Sequence, residues 1–295
     1  MATSYALAVR HWYAAHARDL PWRRPDATPW SILVSEVMLQ QTPVSRVLPA
    51  HAAWLDRWPD PAALAAASVA DAVRQWDRLG YPRRAVRLHA TASLITTRYA
   101  GAVPASADQL RSLPGVGAYT AAAVSSFAFG ERHAVLDTNV RRVLARVVTG
   151  AARPTHAPTA AERRLAEQLL PANGRLAAQW SVGVMELGAL VCTAARPRCD
   201  RCPLAAHCLW LRQGRPAGPA RPPAPGYHGS DRQCRGRLLA VMRDAAGPVP
   251  AATLTTVWPD PAQQLRSLGG LIDDGLIVQG SDGSFALPGD AARPG

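Results

Sequence analysis

Ser106 to Phe127 reads SADQLRSLPGVGAYTAAAVSSF. Ser106 followed three places on by Gln109 is the capping-box signature of a first helix. Leu113-Pro114-Gly115-Val116-Gly117 then forces a tight hairpin, because proline and glycine do not continue a helix, and an alanine-rich second helix starts near Ala118. Gly115 and Gly117, on either side of Val116, let the backbone come close to a partner, and the amides at the new helix N-terminus point at an anion. Helix, hairpin, helix is the expected unit, and a nucleic-acid phosphate suits it. An ordinary interhelical turn is the other reading of the same residues.

Working outward, the pattern is helical from Tyr5 to about Leu211, with apolar residues at three- and four-residue spacing and Pro or Gly as punctuation. One helix is framed by Thr28 as N-cap and Pro29 in its first turn, carries Trp30, Leu33, Val34, Val37 and Met38 as a stripe, and ends before Thr42-Pro43. Another begins near Thr138 and places Val140, Val143, Leu144, Val147 and Val148 on one face. The predicted fold is therefore mainly α, helix packed on helix, over residues 1–211. Residues 212–230 (RQGRPAGPARPPAPGYHGS) read as an extended linker. Residues 231–290 then predict helices over Cys234–Ala245, Ala251–Trp258 and Pro261–Asp274. A hairpin follows from Leu276–Gln279 and Ser284–Leu287, giving a small winged-helix-like α+β domain.

The chain has 295 residues, 48% of them hydrophobic, enough for a sizeable core. All 33 residues counted as Lys+Arg are arginine. Without a lysine amine the chain cannot form a lysine Schiff base, which excludes that class of covalent chemistry. Of the net charge of +12, the part up to residue 230 holds all the excess, and the remainder is near neutral. Arginine forks suit phosphate, so the large N-terminal part is the expected polyanion binder. No stretch reaches the length of a membrane span, and a cytoplasmic, nucleoid-associated monomer is expected.

Cys192, Cys199, Cys202 and Cys208 follow C-x6-C-x2-C-x5-C. Four thiolates in one short segment converge on a soft metal centre without long-range assembly. Structural zinc is the competing reading, but zinc sites usually pair two Cys-x-x-Cys knuckles and only Cys199 and Cys202 are so spaced. Arg196, Arg198 and Arg201 decorate the same loop, whereas Cys234 stands outside the set as an ordinary buried thiol. Glu36 lies in a mostly apolar helix, where desolvation would raise its pKa and make it a general acid near neutral pH. A plain polar face of Ser31, Ser35, Glu36 and Gln40 is the alternative. Asp137 opens the helix at Thr138, where amides and the helix dipole would keep it ionised, as they would for a plain N-cap. Together the two form a carboxyl pair with pKa values pushed apart.

The ordered combination of LPWR, SEVMLQQT, LGY, LPGVGAYTAAAV, LDTNVRRVLAR, MELGALVC and the cysteine spacing, covering about Leu20 to Leu209, resembles the adenine DNA glycosylases of the MutY type within the endonuclease III superfamily. The resemblance implies a helix-hairpin-helix glycosylase fold, a six-helix barrel plus an iron-sulfur domain, with one 4Fe-4S cluster on the four cysteines. It implies double-stranded DNA containing an adenine mispair as partner, and excision of adenine opposite 8-oxoguanine or guanine. By it, Glu36 protonates the adenine, Asp137 stabilises the sugar cation, and Tyr119 and Asn139 position these groups. Gln41 and Tyr81 wedge into the base stack while the base is flipped out. Tyr119 stands where bifunctional relatives carry their Schiff-base lysine, so a monofunctional enzyme leaving an abasic site is expected. Pro82 departs from the family, which often has a second tyrosine there. The tail departs too: bacterial relatives usually carry a β-rich nudix-like domain, whereas residues 231–290 are short, residues 231–295 have a net charge of −1, and the segment is suited to packing or protein contact. A glycosylase for thymine or uracil opposite guanine, and a non-catalytic iron-sulfur DNA-binding regulator, are the competing functions.

Overall fold

The computed structural model describes residues 2–218 and 226–290; residues 219–225 of the expected linker lie outside the described residues. The chain divides into two compact units, each assembled from separated stretches: Met1–Glu36, Ala105–Ser112 and Val116–Arg221 form the first, and Val37–Pro104, Leu113–Gly115 and Pro222–Gly295 the second. The expected partition at 211 and 231 follows the order of the chain, whereas compactness groups segments across it. Among the described residues no helix is long and apolar enough to cross a membrane.

In the first unit, α1 (Ala2–His16), α9 (Thr138–Leu144), α10 (Ala160–Leu169) and α11 (Gly174–Leu190) enclose one core. Val9, Val143, Val184 and Leu187 are fully buried in it, with Trp180, Leu204 and Trp210 around them. Helix α9 runs on into a wider π turn, Ala145–Thr149, that ends at Gly150 in the left-handed region. Helix α2 (Pro29–Met38) starts as its sequence predicts, with Thr28 Oγ1 accepting the Ser31 amide at 3.1 Å. Helices α7 (Ala107–Arg111) and α8 (Ala118–Phe129) flank the glycine hairpin. The capping box expected at Ser106 is not formed: α7 is only five residues long, and Ser106 makes no side-chain cap bond. Its carbonyl instead takes the Leu110 amide at 2.9 Å, so backbone alone closes the single turn.

In the second unit, α4 (Pro61–Ala66) and α5 (Val69–Trp76) pack on α6 (Arg83–Arg98), with α3 (Val44–Arg57) contributing Trp54. The Trp54 ring meets Trp58 and Trp76 edge-on at 4.7 and 5.6 Å, the arrangement ring quadrupoles favour. Its C-terminal part holds α13 (Asp231–Asp244), α14 (Ala251–Leu254), α15 (Pro261–Asp273) and an antiparallel pair, β1 (Val278–Gln279) with β2 (Phe285–Ala286), in register Val278 to Ala286. The second expected helix stops at Leu254 rather than Trp258: the Thr255 and Val257 amides turn back three residues, to the carbonyls of Ala252 and Leu254 at 3.3 and 3.0 Å, and Trp258 is buried beyond that tightened turn.

Candidate active site

Glu36 is carried by the last turn of α2 on an otherwise apolar face and is 4% exposed. Burial pushes its carboxyl up to about 7, against the hydrogen bond from Tyr119 and the more distant charge of Arg23, and with the help of the Asp137 carboxylate. Tyr119, in the first turn of α8, has its own phenol raised by burial and by the same two acids, so it stays a hydrogen-bond donor. An acid that is half protonated near neutral pH and lies beside a phenol donor is equipped for proton transfer.

Asp137 is the N-cap of α9, and its Oδ1 accepts the Val140 amide at 2.6 Å. The cap expected to keep Asp137 ionised is formed, but it does not lower the carboxyl. Burial dominates and raises it, while the amides of Val140 and Asn139, the Asn139 side chain and Arg142 pull the other way. Both acids are therefore pushed up. They differ in support: several donors hold the charge of Asp137, and a phenol and a distant arginine face Glu36.

Asn139 donates from Nδ2 to Asp137 Oδ2 at 2.7 Å and accepts at Oδ1 from Arg142 Nη2, also at 2.7 Å. Arg142 in turn donates to the carbonyls of Gly188 and Cys192, each at 2.7 Å. A Cβ on Gly188 would lie 2.6 Å from Asn139 Cβ, so only glycine lets α11 come this close to α9. The cysteine loop is thus tied by hydrogen bonds to the acid at the head of α9.

Cys192, Cys199, Cys202 and Cys208 all line one cavity, walled by Val143, Val147, Val191, Pro197 and Trp210. Burial and the other three thiols push Cys202 up to about 12. Arg146, 2% exposed and lying over the Trp210 ring at 4.4 Å, donates to Cys192 Sγ at 3.3 Å and to the Thr193 carbonyl at 2.8 Å. Among the described residues no set of three or more His, Cys, Asp or Glu side chains is drawn in around one ion position. The donor set is four soft thiols facing a common apolar cavity with a cation beside one of them, which fits a sulfur-ligated cluster. Arg196, Arg198 and Arg201 are exposed on the loop, and Cys234 is buried far along the chain in α13.

The HhH-GPD superfamily of base excision DNA repair proteins matches residues 34–169. A protein of Mycolicibacterium smegmatis named adenine DNA glycosylase is 52% identical over 281 residues, covering 95% of this chain and 94% of that one. This chain belongs to the HhH-GPD superfamily. A second adenine DNA glycosylase, from Mycobacterium tuberculosis, is 50% identical over 282 residues, which is 95% of this chain and 92% of that protein. A solved thermostable thymine-DNA glycosylase superposes with a TM-score of 0.65 at 26% identity, over 72% of this chain and 97% of its own.

The HhH-GPD match spans Glu36, Gln41, Tyr81, Tyr119, Asp137 and Asn139, and the cysteines lie beyond it. The structure brings Glu36, Tyr119, Asp137 and Asn139 together in the first unit. Gln41 and Tyr81 belong to the second, where Tyr81 Oη donates to Gln41 Oε1 at 2.8 Å. In the hairpin that names the superfamily, Gly115 has φ +77, and a Cβ there would lie 2.9 Å from the Arg87 side chain; Val116 is buried and Gly117 caps α8 with its backbone exposed. The sequence reading missed Glu186, which is fully buried on α11. It takes Arg18 Nε at 2.6 Å, Arg18 Nη2 at 2.8 Å and Arg23 Nη1 at 2.6 Å, and these arginines hold it down at about 2. A glutamate in the apolar run Val184 to Val191 was the available signal, since a buried carboxylate needs paired cations.

Proposed function

We propose that the protein is an adenine DNA glycosylase, hydrolysing the N-glycosidic bond of adenine mispaired with 8-oxoguanine or guanine in double-stranded DNA. The observation that carries this reading is Glu36, a buried carboxyl pushed up to about 7 and hydrogen-bonded to Tyr119 in a chain about half identical to adenine DNA glycosylases. In its acid form Glu36 gives its proton to a ring nitrogen of the flipped base. The C1′–N9 bond then breaks, adenine leaves as a neutral base, and the positive charge left on the sugar is offset by the Asp137 carboxylate. Water adds its oxygen to C1′ and yields its proton to a carboxylate, leaving an abasic site. Tyr119 and Asn139 fix the orientation of the two acids, and the exposed hairpin backbone at Gly115 to Gly117 fits a DNA phosphate.

Cys192, Cys199, Cys202 and Cys208 would hold a 4Fe-4S cluster. When bound, it supplies four metal–thiolate bonds that fasten the loop to the ends of α11 and α12 (Leu209–Arg212). Every step above runs on the chain's own side chains. With no lysine in the chain and Tyr119 at the hairpin, the reading is monofunctional, and borohydride treatment during turnover is expected to trap no enzyme–DNA adduct.

Single-turnover excision compared on duplexes with adenine opposite 8-oxoguanine or guanine, and with thymine or uracil opposite guanine, tests the reading. Adenine release is the expected result. Thymine or uracil removed with adenine untouched overturns it.

A further inference from the structure

Tyr81 sits at the tip of the turn between α5 and α6 with φ 50, after Gly80 at φ 95 and Asp77 at φ 41. Two non-glycine residues at positive φ in one turn persist only where the surroundings impose them. One side of the imposition is Arg84 in the first turn of α6. It donates to the carbonyls of Val37, Met38, Gln40 and Gly80 at 2.7 to 3.0 Å and lies 5.1 Å from the centre of the Tyr81 ring.

The other side is the C-terminal segment. Arg243, at the end of α13, donates to the Asp77 carbonyl and stands 3.6 Å from the Asp77 carboxylate. Arg83, just past Tyr81, pairs at 3.0 Å with Asp274 at the end of α15, and Asp274 is held in turn by Arg235. Just before the turn, Arg74 takes the carbonyls of Arg243 and Ala245 at 3.3 Å each and pairs with the buried Asp290. The Ala70 amide adds a backbone tie to the Pro288 carbonyl at 2.9 Å.

We propose that residues 226–290 are an intramolecular brace that fixes the backbone of the turn Asp77–Tyr81 and so presents Tyr81 to the base stack. This rests on the reading of the protein as a base-flipping glycosylase. The segment is poorly equipped to read DNA itself. Its net charge is −2, Arg235 and Arg243 are engaged with Asp274 and Asp77, and the only arginine of α15, Arg266, faces Asp231 at 3.5 Å. Arg243 alone among these points at the turn, where it acts on the main chain of Asp77, while Arg235 holds the Asp274 carboxylate that pairs with Arg83.

The test uses the full-length protein with Arg243→Gln and Asp274→Asn, singly and together, and Arg243→Lys as the conservative control. Hydrogen exchange of the Asp77–Tyr81 amides in the absence of DNA reads the brace directly. Exchange in the double variant is expected to be on the order of tenfold faster than in the unaltered protein, and close to the unaltered rate in Arg243→Lys. With 2-aminopurine at the mispaired position, base extrusion and single-turnover excision are expected to fall together by on the order of tenfold, with duplex affinity and melting temperature nearly unchanged. If the double variant unfolds, Asp274→Asn alone, at a partly exposed site, carries the same measurements. Unchanged exchange in the turn overturns the brace whatever base the enzyme removes. Faster exchange in the double variant, together with an unaltered protein that fails to excise adenine, fails the functional reading alone. A loss of excision that follows melting temperature and is not restored by lysine also overturns the brace.

Discussion

Glu36 and Glu186 stand in the same unit, one on α2 and one on α11, and neither meets solvent; yet one is pushed up to about 7 and the other held at about 2. Burial raises both, so burial alone does not set the difference. Donors do: Glu186 takes three charge-assisted bonds from Arg18 and Arg23, whereas Glu36 has the Tyr119 hydrogen bond and, facing it, the like charge of Asp137. Arg23 touches both cases, because its charge is spent on Glu186 and reaches Glu36 only at a distance. The clamp around Glu186 thereby leaves Glu36 its proton.

The strongest way to break this contrast is Glu36→Gln, which removes the proton donor while keeping the shape. Single-turnover excision is expected to fall by about 10³-fold. In the unaltered protein the acid form is the active one and its pKa is raised, so the rate is expected to be full below pH 7 and to fall as pH rises through about 7. A pH profile in which that descending limb survives the substitution would remove Glu36 from the role. Asp137→Asn comes next, with a loss of about 10²-fold in excision and nearly unchanged duplex affinity, since the cap bond to Val140 is retained by an asparagine oxygen.

Glu186→Gln acts on stability first. Two arginines are left against a neutral amide, and urea unfolding is expected to show a loss of about 2 kcal/mol, below the fully buried range because Arg18 is a third exposed. The sign with pH is fixed by the lowered pKa. The stabilisation is complete above the ordinary glutamate value and lost as pH falls from there toward about 2, so the two proteins converge in acid. The same variant releases Arg23 to act on Glu36, and the descending limb of excision is expected to move to lower pH. Tyr119→Phe gives the smallest effect and the opposite sign: it removes the hydrogen bond that lowers Glu36, and the limb is expected to move to higher pH with a modest change in rate at its plateau. A limb that stays in place in both variants would break the account of how donors set the charge of Glu36.

What could be read in advance was what local sequence determines. The cap at Asp137, the start of α2 at Thr28 and the glycine hairpin each depend on a few adjacent residues, and the structure forms them where the sequence places them. The cysteine spacing is equally local. Ser106 and Gln109 show the limit, because a capping box needs a helix long enough to hold, and α7 is one turn. The pKa of Asp137 shows another limit: the amides that support its charge were legible, but the burial opposing them comes from packing. The ties between distant segments left no local trace. Arg18 meets Glu186 across 168 residues and Arg74 meets Asp290 across 216, and nothing in either neighbourhood names its partner. In an arginine-rich chain such cations read as phosphate binders, which hid the ones that bind carboxylates and carbonyls instead.

The interleaving of the two units sets the order in which a growing chain can close. The first unit joins stretches on either side of residues 37–104; the second opens at Val37 and waits for Asp290 to reach Arg74. Neither can finish while its last segment is still inside the ribosome, so the nascent chain carries half-built helical layers through most of its synthesis. A stop codon ahead of the tail would therefore release a second unit that never closes, with the turn bearing Tyr81 left unheld. The segment that ends at Asp290 thus decides whether the turn at Tyr81 is put to use.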